Sequence, residues 1–150
     1  MRAVIQRVSK ASVSVEKVVS GSIGKGFLVL LGVEEADDSN DAQWLAQKIL
    51  SLRIFSDDEG KMNHDLQTVS GDVLAVSQFT LHAKTKKGTR PSFIRAAHPE
   101  KAEMLYEEFC SFITKESNRE CQKGVFGADM EIELINDGPV TIIIDTQKKE

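Results

Sequence analysis

The chain has 150 residues, of which 41% are hydrophobic and 28% are charged, and its formal net charge is −4. This length predicts a single domain over residues 1–150 whose core needs no disulfide or metal to hold it together. The acidic balance argues against a protein that wraps duplex DNA. The absence of a long apolar run or a signal-peptide pattern argues against a membrane partner and favours the cytoplasm.

The first predicted elements are strands followed by a helix. Val13 and Val15 alternate with serines, and Phe27–Leu31 is a continuous apolar run typical of a central strand. Asp38 and Ser39 are both good N-cap residues, so a helix is expected to begin there. The apolar stripe predicted for this helix consists of Leu45, Ile49 and Leu52, with Trp44 alongside.

The middle of the chain predicts two more strands and a second helix. Leu52–Phe55 is interpreted as a short strand before a turn at Ser56–Gly60, and Val73–Val76 as a buried strand. Pro99 suits the first position of a helix, whose apolar stripe is predicted to be Ala102, Leu105, Phe109 and Phe112.

The chain closes with two strand-like runs on either side of Gly138-Pro139. Two helices and about seven strands that do not alternate as βαβ units predict an α+β domain. We expect mostly antiparallel or mixed β-sheets that form a sandwich or barrel-like core, with the two helices packed against one face.

Ser77-Gln78-Phe79-Thr80-Leu81 follows the strand at Val73–Val76 and is a candidate reactive segment. If the chain leaves the strand here, Phe79 and Thr80 would have free backbone N–H groups, and two convergent N–H groups can stabilise an oxyanion. Alternatively, Ser77 and Thr80 only terminate the strand. A third possibility is a small-molecule esterase in which Thr80 is the nucleophile and His82 its base, since both would face the same side of an ideal strand.

Gly138-Pro139 also allows two interpretations. It is either a plain turn between strands or a rigid backbone element that approaches a ligand, because Gly permits close approach and Pro fixes its own φ. No HExxH, CxxC or other metal-ligand spacing occurs, so we expect neither a metal nor a cofactor.

The positive charge is concentrated in one segment. Lys84, Lys86, Lys87, Arg90 and Arg95 lie within twelve residues that contain no acid. Such a segment is either a solvated loop or a contact for a few phosphates, and in the latter case the protein could be a non-catalytic RNA-binding module.

The combination of Ser77–Leu81 with Asn136-Asp137-Gly138-Pro139-Val140-Thr141 resembles the bacterial-type D-aminoacyl-tRNA deacylases. The resemblance covers the whole chain, including Met1–Val8, Lys87–Phe93 and Gly124–Met130. It implies hydrolysis of the ester between a D-amino acid and the terminal adenosine of tRNA. It also implies hydrolysis of glycyl-tRNA, including glycine mischarged on tRNA(Ala).

The resemblance further implies a homodimer with active sites at the subunit interface. The Gly138-Pro139 bond would be cis and would enter the partner's pocket, with Arg7 close to it, to reject L-amino acids. The roles that the resemblance implies for the pocket residues are a catalytic wall with backbone N–H groups near the scissile carbonyl (Phe79, Thr80), support of that wall (Ser77, Gln78), and binding of the terminal adenosine (Phe126, Gly127, Ala128, Met130).

The mechanism allows two routes. An aminoacyl ester is already activated, so an oxyanion hole, a positioned water and the ribose 2′-OH can suffice. The rival route uses the Thr80 hydroxyl as a covalent nucleophile.

Overall fold

A computed structural model describes all 150 residues as eight strands, two α-helices and one short 3-10 helix. The helices are α1 (Ser39–Leu50) and α2 (Pro99–Ser117), and the 3-10 helix, η1, covers Phe79–His82. The strands are β1 (Arg2–Val15), β2 (Val18–Ile23), β3 (Gly26–Gly32), β4 (Phe55–Ser56), β5 (Met62–His64), β6 (Asp72–Ser77), β7 (Gln122–Lys123) and β8 (Glu131–Asp145).

Six strands form one mixed sheet that is nearly barrel-shaped. Its order is β2-β1-β3-β6-β7, and β8 pairs with β1 along almost the whole of that strand. The pairs that β1 makes are antiparallel, whereas β3–β6 and β6–β7 are parallel. A separate two-stranded sheet consists of β4 and β5. The predicted α+β class and mixed sheet are therefore confirmed.

The core has two parts because residues of each strand point alternately to opposite faces of the sheet. The larger part, 23 buried residues, includes Phe27 and Ala75 of the sheet together with Leu45 of α1 and Phe109 of α2. The smaller part contains strand residues such as Leu28 and no helical ones. Both helices therefore pack on one face, as the sequence predicted. Neither helix has the length and apolar character that crossing a membrane would need.

Both helices begin where their capping residues predict. The Asp38 carboxylate accepts hydrogen bonds from the Asn40 and Asp41 backbone N–H groups, and the Asp41 carboxylate accepts one from the Asp38 N–H. This reciprocal arrangement satisfies donors that the first turn leaves free. Pro99 is the first residue of α2, where its missing N–H costs nothing.

Two predictions about the segment after α1 are wrong. The helix ends at Leu50 with Ser51 as its C-cap, so Leu52 lies outside it. The predicted strand Leu52–Phe55 contributes only Phe55 to β4. One reason is that the Ile54 carbonyl accepts a hydrogen bond from the Arg7 guanidinium (2.5 Å) and not from a neighbouring strand.

The two strands predicted around Gly138-Pro139 are one strand, β8, with a bulge in it. Asn136 pairs with Val8 and Thr141 pairs with Gln6, so that residues 137–140 all lie opposite Arg7 alone. The chain does not reverse at Gly138-Pro139, and the plain-turn interpretation is therefore wrong. Four residues opposite one must leave the plane of the ladder, which makes this segment project from the sheet.

Candidate functional site

A cavity of about 710 Å³ lies where β6 ends, beside the loop that leads into α2. Most of its wall is apolar, with a few polar groups, as is usual for a small-molecule site. It brings together two of the segments singled out in the sequence. The predicted residues that line it are Ser77, Gln78 and Phe79 on one side and Phe126, Gly127, Ala128 and Met130 on the other.

The backbone changes direction at Gln78. Ser77 still pairs with Leu31 of β3, and the Gln78 N–H donates to the Leu31 carbonyl (2.7 Å). The chain then enters η1, and the N–H groups of Phe79 and Thr80 have no acceptor in the protein. Both free donors were predicted. They are free because a helix cannot satisfy its own first N–H groups.

Thr80 and His82 do not form a nucleophile–base pair. The Thr80 hydroxyl accepts a hydrogen bond from the Gln78 amide (2.5 Å), whereas His82 is buried and its Nδ1 lies 2.8 Å from Glu34 Oε1. In a 3-10 helix, residues two apart point in directions about 120° apart. The expectation that His82 faces the same side as Thr80 is therefore wrong, because it assumed an extended chain.

Glu34 does not line the cavity but supports the segments around it, a role that the sequence did not reveal. Its carboxylate contacts His82 and also the Arg95 guanidinium (2.5 Å), so it ties η1 to the loop before α2. Burial raises the pKa of Glu34, but the hydrogen bond to Arg95 and the charges of His82 and Arg95 outweigh that effect, and the net pKa lies below its ordinary value. The carboxylate is thus held in its charged form.

Aromatic rings form much of the remaining wall. The Phe79 ring, 56% exposed, meets the Phe93 ring edge-on at 5.1 Å, and the Tyr106 ring lies 6.0 Å from the Phe126 ring. The Tyr106 hydroxyl donates to the Ala75 carbonyl (2.9 Å), and burial raises the pKa of Tyr106. Tyr106 and Phe93 were not foreseen, since an aromatic residue on a helix face or in a loop is indistinguishable from ordinary core in sequence. Such rings can hold a flat heterocycle.

Of the predicted site residues, Thr80, Gly138, Pro139 and Arg7 do not line the cavity of their own chain. The Gly138-Pro139 bond is cis, as the resemblance implied, and both residues are exposed. Arg7 is buried beneath them, with its Nε 3.2 Å from the Asp137 carbonyl and 3.1 Å from the Asp137 carboxylate. The Asn136 amide donates to the carbonyls of Arg7 and Val140 and closes the base of the bulge.

One protein family matches nearly the whole chain. The family described as D-Tyr-tRNA(Tyr) deacylase matches residues 4–145. A D-aminoacyl-tRNA deacylase of Akkermansia muciniphila is 57% identical over 150 residues, and one of Bacteroides thetaiotaomicron is 54% identical over 150 residues. In both cases the match covers 100% of this chain and 100% of the relative.

Two solved structures have a similar fold. The structure named c-Myc DNA Unwinding Element Binding Protein has a TM-score of 0.91 and 39% identity, over 97% of this chain and 98% of that one. A probable eukaryotic D-amino acid tRNA deacylase has a TM-score of 0.80 over 95% of this chain and 97% of that one. At 18% identity, the second likeness concerns the fold alone.

Proposed function

Because the chain belongs to the D-aminoacyl-tRNA deacylase family, we propose that it hydrolyses the ester between a D-amino acid and the terminal adenosine of tRNA. The products are free D-amino acid and tRNA. The observation that carries this proposal is the cavity at the end of β6, where Phe79, with its free backbone N–H, lines an aromatic wall and is followed directly by the second free N–H, that of Thr80. The free N–H groups suit an ester carbonyl and the aromatic wall suits a nucleoside.

The free N–H groups of Phe79 and Thr80 bind the carbonyl oxygen of the ester. A water molecule attacks the carbonyl carbon, and the negative charge that develops on the oxygen is stabilised by these two donors. The bond from the carbonyl carbon to the ribose oxygen then breaks, and a proton passes to that oxygen. Ser77 and Gln78 hold the turn, while Phe126, Gly127, Ala128 and Met130 contact the adenosine.

The proton transfers are assisted by the ribose 2′-OH, and Thr80 is not a covalent nucleophile. A threonine nucleophile needs an adjacent base. The Thr80 hydroxyl is bonded to the Gln78 amide, and His82, the base considered for it, is buried against Glu34. This arrangement supports the route in which the ribose 2′-OH of the tRNA assists proton transfer. It gives no support to a small-molecule esterase built on Thr80 and His82.

The enzyme acts as a homodimer in which Gly138 and Pro139 of the partner subunit complete each cavity. This is supported by the position of the bulge, which projects from β8, is exposed, and is absent from the cavity of its own chain. Ile135 and Ile143 on the same strand are 52% and 68% exposed, which suits burial in a subunit interface. The proposed sites are therefore shared between subunits.

The Gly-Pro backbone selects the chirality of the substrate. Placed against the α-carbon, it leaves room for a hydrogen but not for a side chain on that side, so L-amino acids are excluded whatever their side chain. Glycine has no side chain to exclude, and glycyl-tRNA is therefore a substrate as well. A rigid clash can discriminate more strongly than an apolar pocket that senses one methylene, which gives about 1–3 kcal/mol.

The direct test charges one tRNA with D-tyrosine, L-tyrosine or glycine and measures free amino acid released by the purified protein. We expect rapid release of D-tyrosine and glycine, and release of L-tyrosine at the rate seen without protein. Release of L-tyrosine alone would contradict the proposal. Tight binding of the charged tRNA with no release of any amino acid would indicate the alternative, a non-catalytic tRNA-binding module.

A further inference from the structure

The basic segment of the chain forms a small hairpin at the rim of the cavity. The Lys84 N–H donates to the Ser92 carbonyl (2.8 Å), and the Ser92 N–H donates to the Lys84 carbonyl (3.1 Å). These two bonds close the base of a loop, residues 84–92, which we call the basic hairpin. Gly88, at a φ of +69°, provides a left-handed position within it.

The cations of the basic hairpin are exposed and have no acidic partner. Its charged residues are Lys84, Lys86, Lys87 and Arg90, and none of them forms an ion pair within the chain. The neighbouring Arg95 differs, because it is paired with Glu34. On a protein with a net charge of −4, four free cations in one loop are a local positive surface.

The hairpin adjoins the part of the cavity wall that contains Phe79. Phe93 directly follows its closing residue, lines the cavity and contacts the Phe79 ring. The tip, Gly88, is four residues from either end of the base and can lie at most about 14 Å beyond it. A nucleoside in the cavity would therefore have its preceding backbone phosphates within reach of the hairpin.

We propose that the basic hairpin binds the backbone phosphates of the RNA nucleotides that immediately precede the terminal adenosine. This inference rests on the proposed function, since it takes the adenosine to lie in the cavity. Contacts to phosphates fix the position of a nucleic acid without reading its sequence. The hairpin would thus align different tRNAs in the same way, while the cavity handles the aminoacyl end.

The test compares two triple variants. The hairpin variant is Lys86→Gln/Lys87→Gln/Arg90→Gln, and the matched control is Lys17→Gln/Lys48→Gln/Lys115→Gln, which removes three exposed, unpaired cations that lie away from the cavity. Each variant is assayed on D-tyrosyl-tRNA, on a short D-tyrosylated oligoribonucleotide with the same terminal adenosine, and on D-tyrosyl-adenosine, over a series of salt concentrations.

For the hairpin variant we expect kcat/KM on tRNA to fall at least 10-fold at about 0.1 M salt, and the slope of log kcat/KM against log salt to become shallower by about 2, or about 0.7 for each lost phosphate contact. The oligoribonucleotide should show most of the same loss. Activity on D-tyrosyl-adenosine, which has no backbone phosphate, should stay unchanged, and the control variant should resemble the wild type on all three substrates.

Three results would overturn the inference: an unchanged salt slope in the hairpin variant, an equal loss in the control variant, or an equal loss on D-tyrosyl-adenosine. A loss on full-length tRNA alone would also contradict it, because the contact would then lie farther along the RNA. If the wild type released no amino acid from any substrate, the proposed function would fail instead. In that case, binding of uncharged tRNA by the wild type and the hairpin variant would be compared over the same salt series, with duplex DNA as competitor. A shallower salt slope in the variant would show that the hairpin contacts RNA, and an equal slope would show that it does not.

Discussion

Phe79 contributes two separate groups to the proposed site, a ring and a backbone N–H. The ring contacts Phe93, and the N–H has no partner in the protein. Substitution by proline removes both groups, whereas substitution by alanine removes only the ring. Proline breaks no hydrogen bond here because Phe79 is the first residue of η1 and its N–H is free, and the preceding Gln78 is not helical (φ −146°, ψ 80°).

We therefore predict that Phe79→Pro has a kcat about 10²- to 10³-fold below that of Phe79→Ala, which is the usual effect of losing one oxyanion donor. Single-turnover release of D-tyrosine from tRNA measures the difference. Both variants should bind uncharged tRNA alike, which serves as the control. Equal kcat values for the two would mean that the Phe79 N–H does not contact the reacting oxygen.

The lowered pKa of Glu34 leads to a prediction about the stability of the fold in acid. Its ordinary pKa is 4.5 and its pKa in the folded protein is lower, despite burial, because of Arg95 and His82. A carboxylate with a lowered pKa stabilises the fold above its ordinary pKa, and this contribution disappears as the pH falls through the folded value. The relevant range is therefore below about pH 5, where protonation breaks the contacts to His82 and Arg95.

Glu34→Gln should be less stable than the wild type at pH 7 and should lose less stability between pH 5 and pH 3. Urea unfolding at a series of pH values, at one protein concentration, measures this. Asp145→Asn is a useful comparison, since the pKa of Asp145 is also lowered, against the effect of burial, by Arg2, but on a strand away from the cavity. Parallel pH curves for the wild type and Glu34→Gln would show that Glu34 is not responsible.

At the scale of secondary structure elements, local signals predicted what depends on local physics. The start of α1 at Asp38 and the first position of α2 at Pro99 follow from capping, which involves only neighbouring residues. The 3-10 form of η1 and the single strand β8 were not predictable in this way. The first depends on where Gln78 bonds to β3, and the second depends on the register between β8 and β1.

The bulge in β8 has little room for a side chain at Gly138. A Cβ atom added there would lie 2.8 Å from Arg7 Nη2 and 2.9 Å from Val140 Cγ2, at a φ of +123°. Both the contacts and the backbone conformation disfavour any L-residue. Gly138→Ala should therefore displace this backbone, and if the Gly-Pro element selects chirality as proposed, the displaced element should tolerate L-amino acids.

We predict that Gly138→Ala lowers the ratio of D-tyrosine to L-tyrosine release by at least 10-fold and destabilises the fold by about 1–3 kcal/mol. The two tyrosyl-tRNA substrates and a urea titration give both values. Gly60→Ala is a control for glycine at positive φ, since it has open space around its Cβ and is away from the cavity. An unchanged ratio in Gly138→Ala would remove this glycine from chiral selection.

At the scale of the whole molecule, the sequence singled out two segments that line the cavity but not the geometry that brings them together. Ser77–Leu81 and Gly124–Met130 are far apart in the chain, and they meet because β7 pairs in parallel with β6. Tyr106 lines the cavity, and Glu34 supports it through His82 and Arg95, only because of how the elements pack. The position of Gly138-Pro139 outside the cavity of its own chain could not be inferred from spacing, because it depends on how β8 lies along β1.

An active site shared between two subunits leads to a prediction that a site within one subunit does not: mixed dimers of two defective variants should recover selectivity. Phe79→Pro disables the cavity but retains the bulge, whereas Gly138→Ala retains the cavity but disturbs the bulge. If each cavity is completed by the partner's bulge, a mixed dimer has one working cavity, and that cavity faces an intact bulge. Adding excess Phe79→Pro protein, nearly inactive by itself, to Gly138→Ala protein should therefore restore the preference for D-tyrosine once the subunits have exchanged.

The matched control is the double variant Phe79→Pro/Gly138→Ala, which exchanges subunits but supplies no intact bulge and should restore nothing. Exchange itself can be followed with a size tag on one variant. If selectivity stayed low with both additions although mixed dimers had formed, each bulge would serve its own chain. The exposed position of Gly138 and Pro139, outside their own cavity, favours the shared arrangement and the restored selectivity that follows from it.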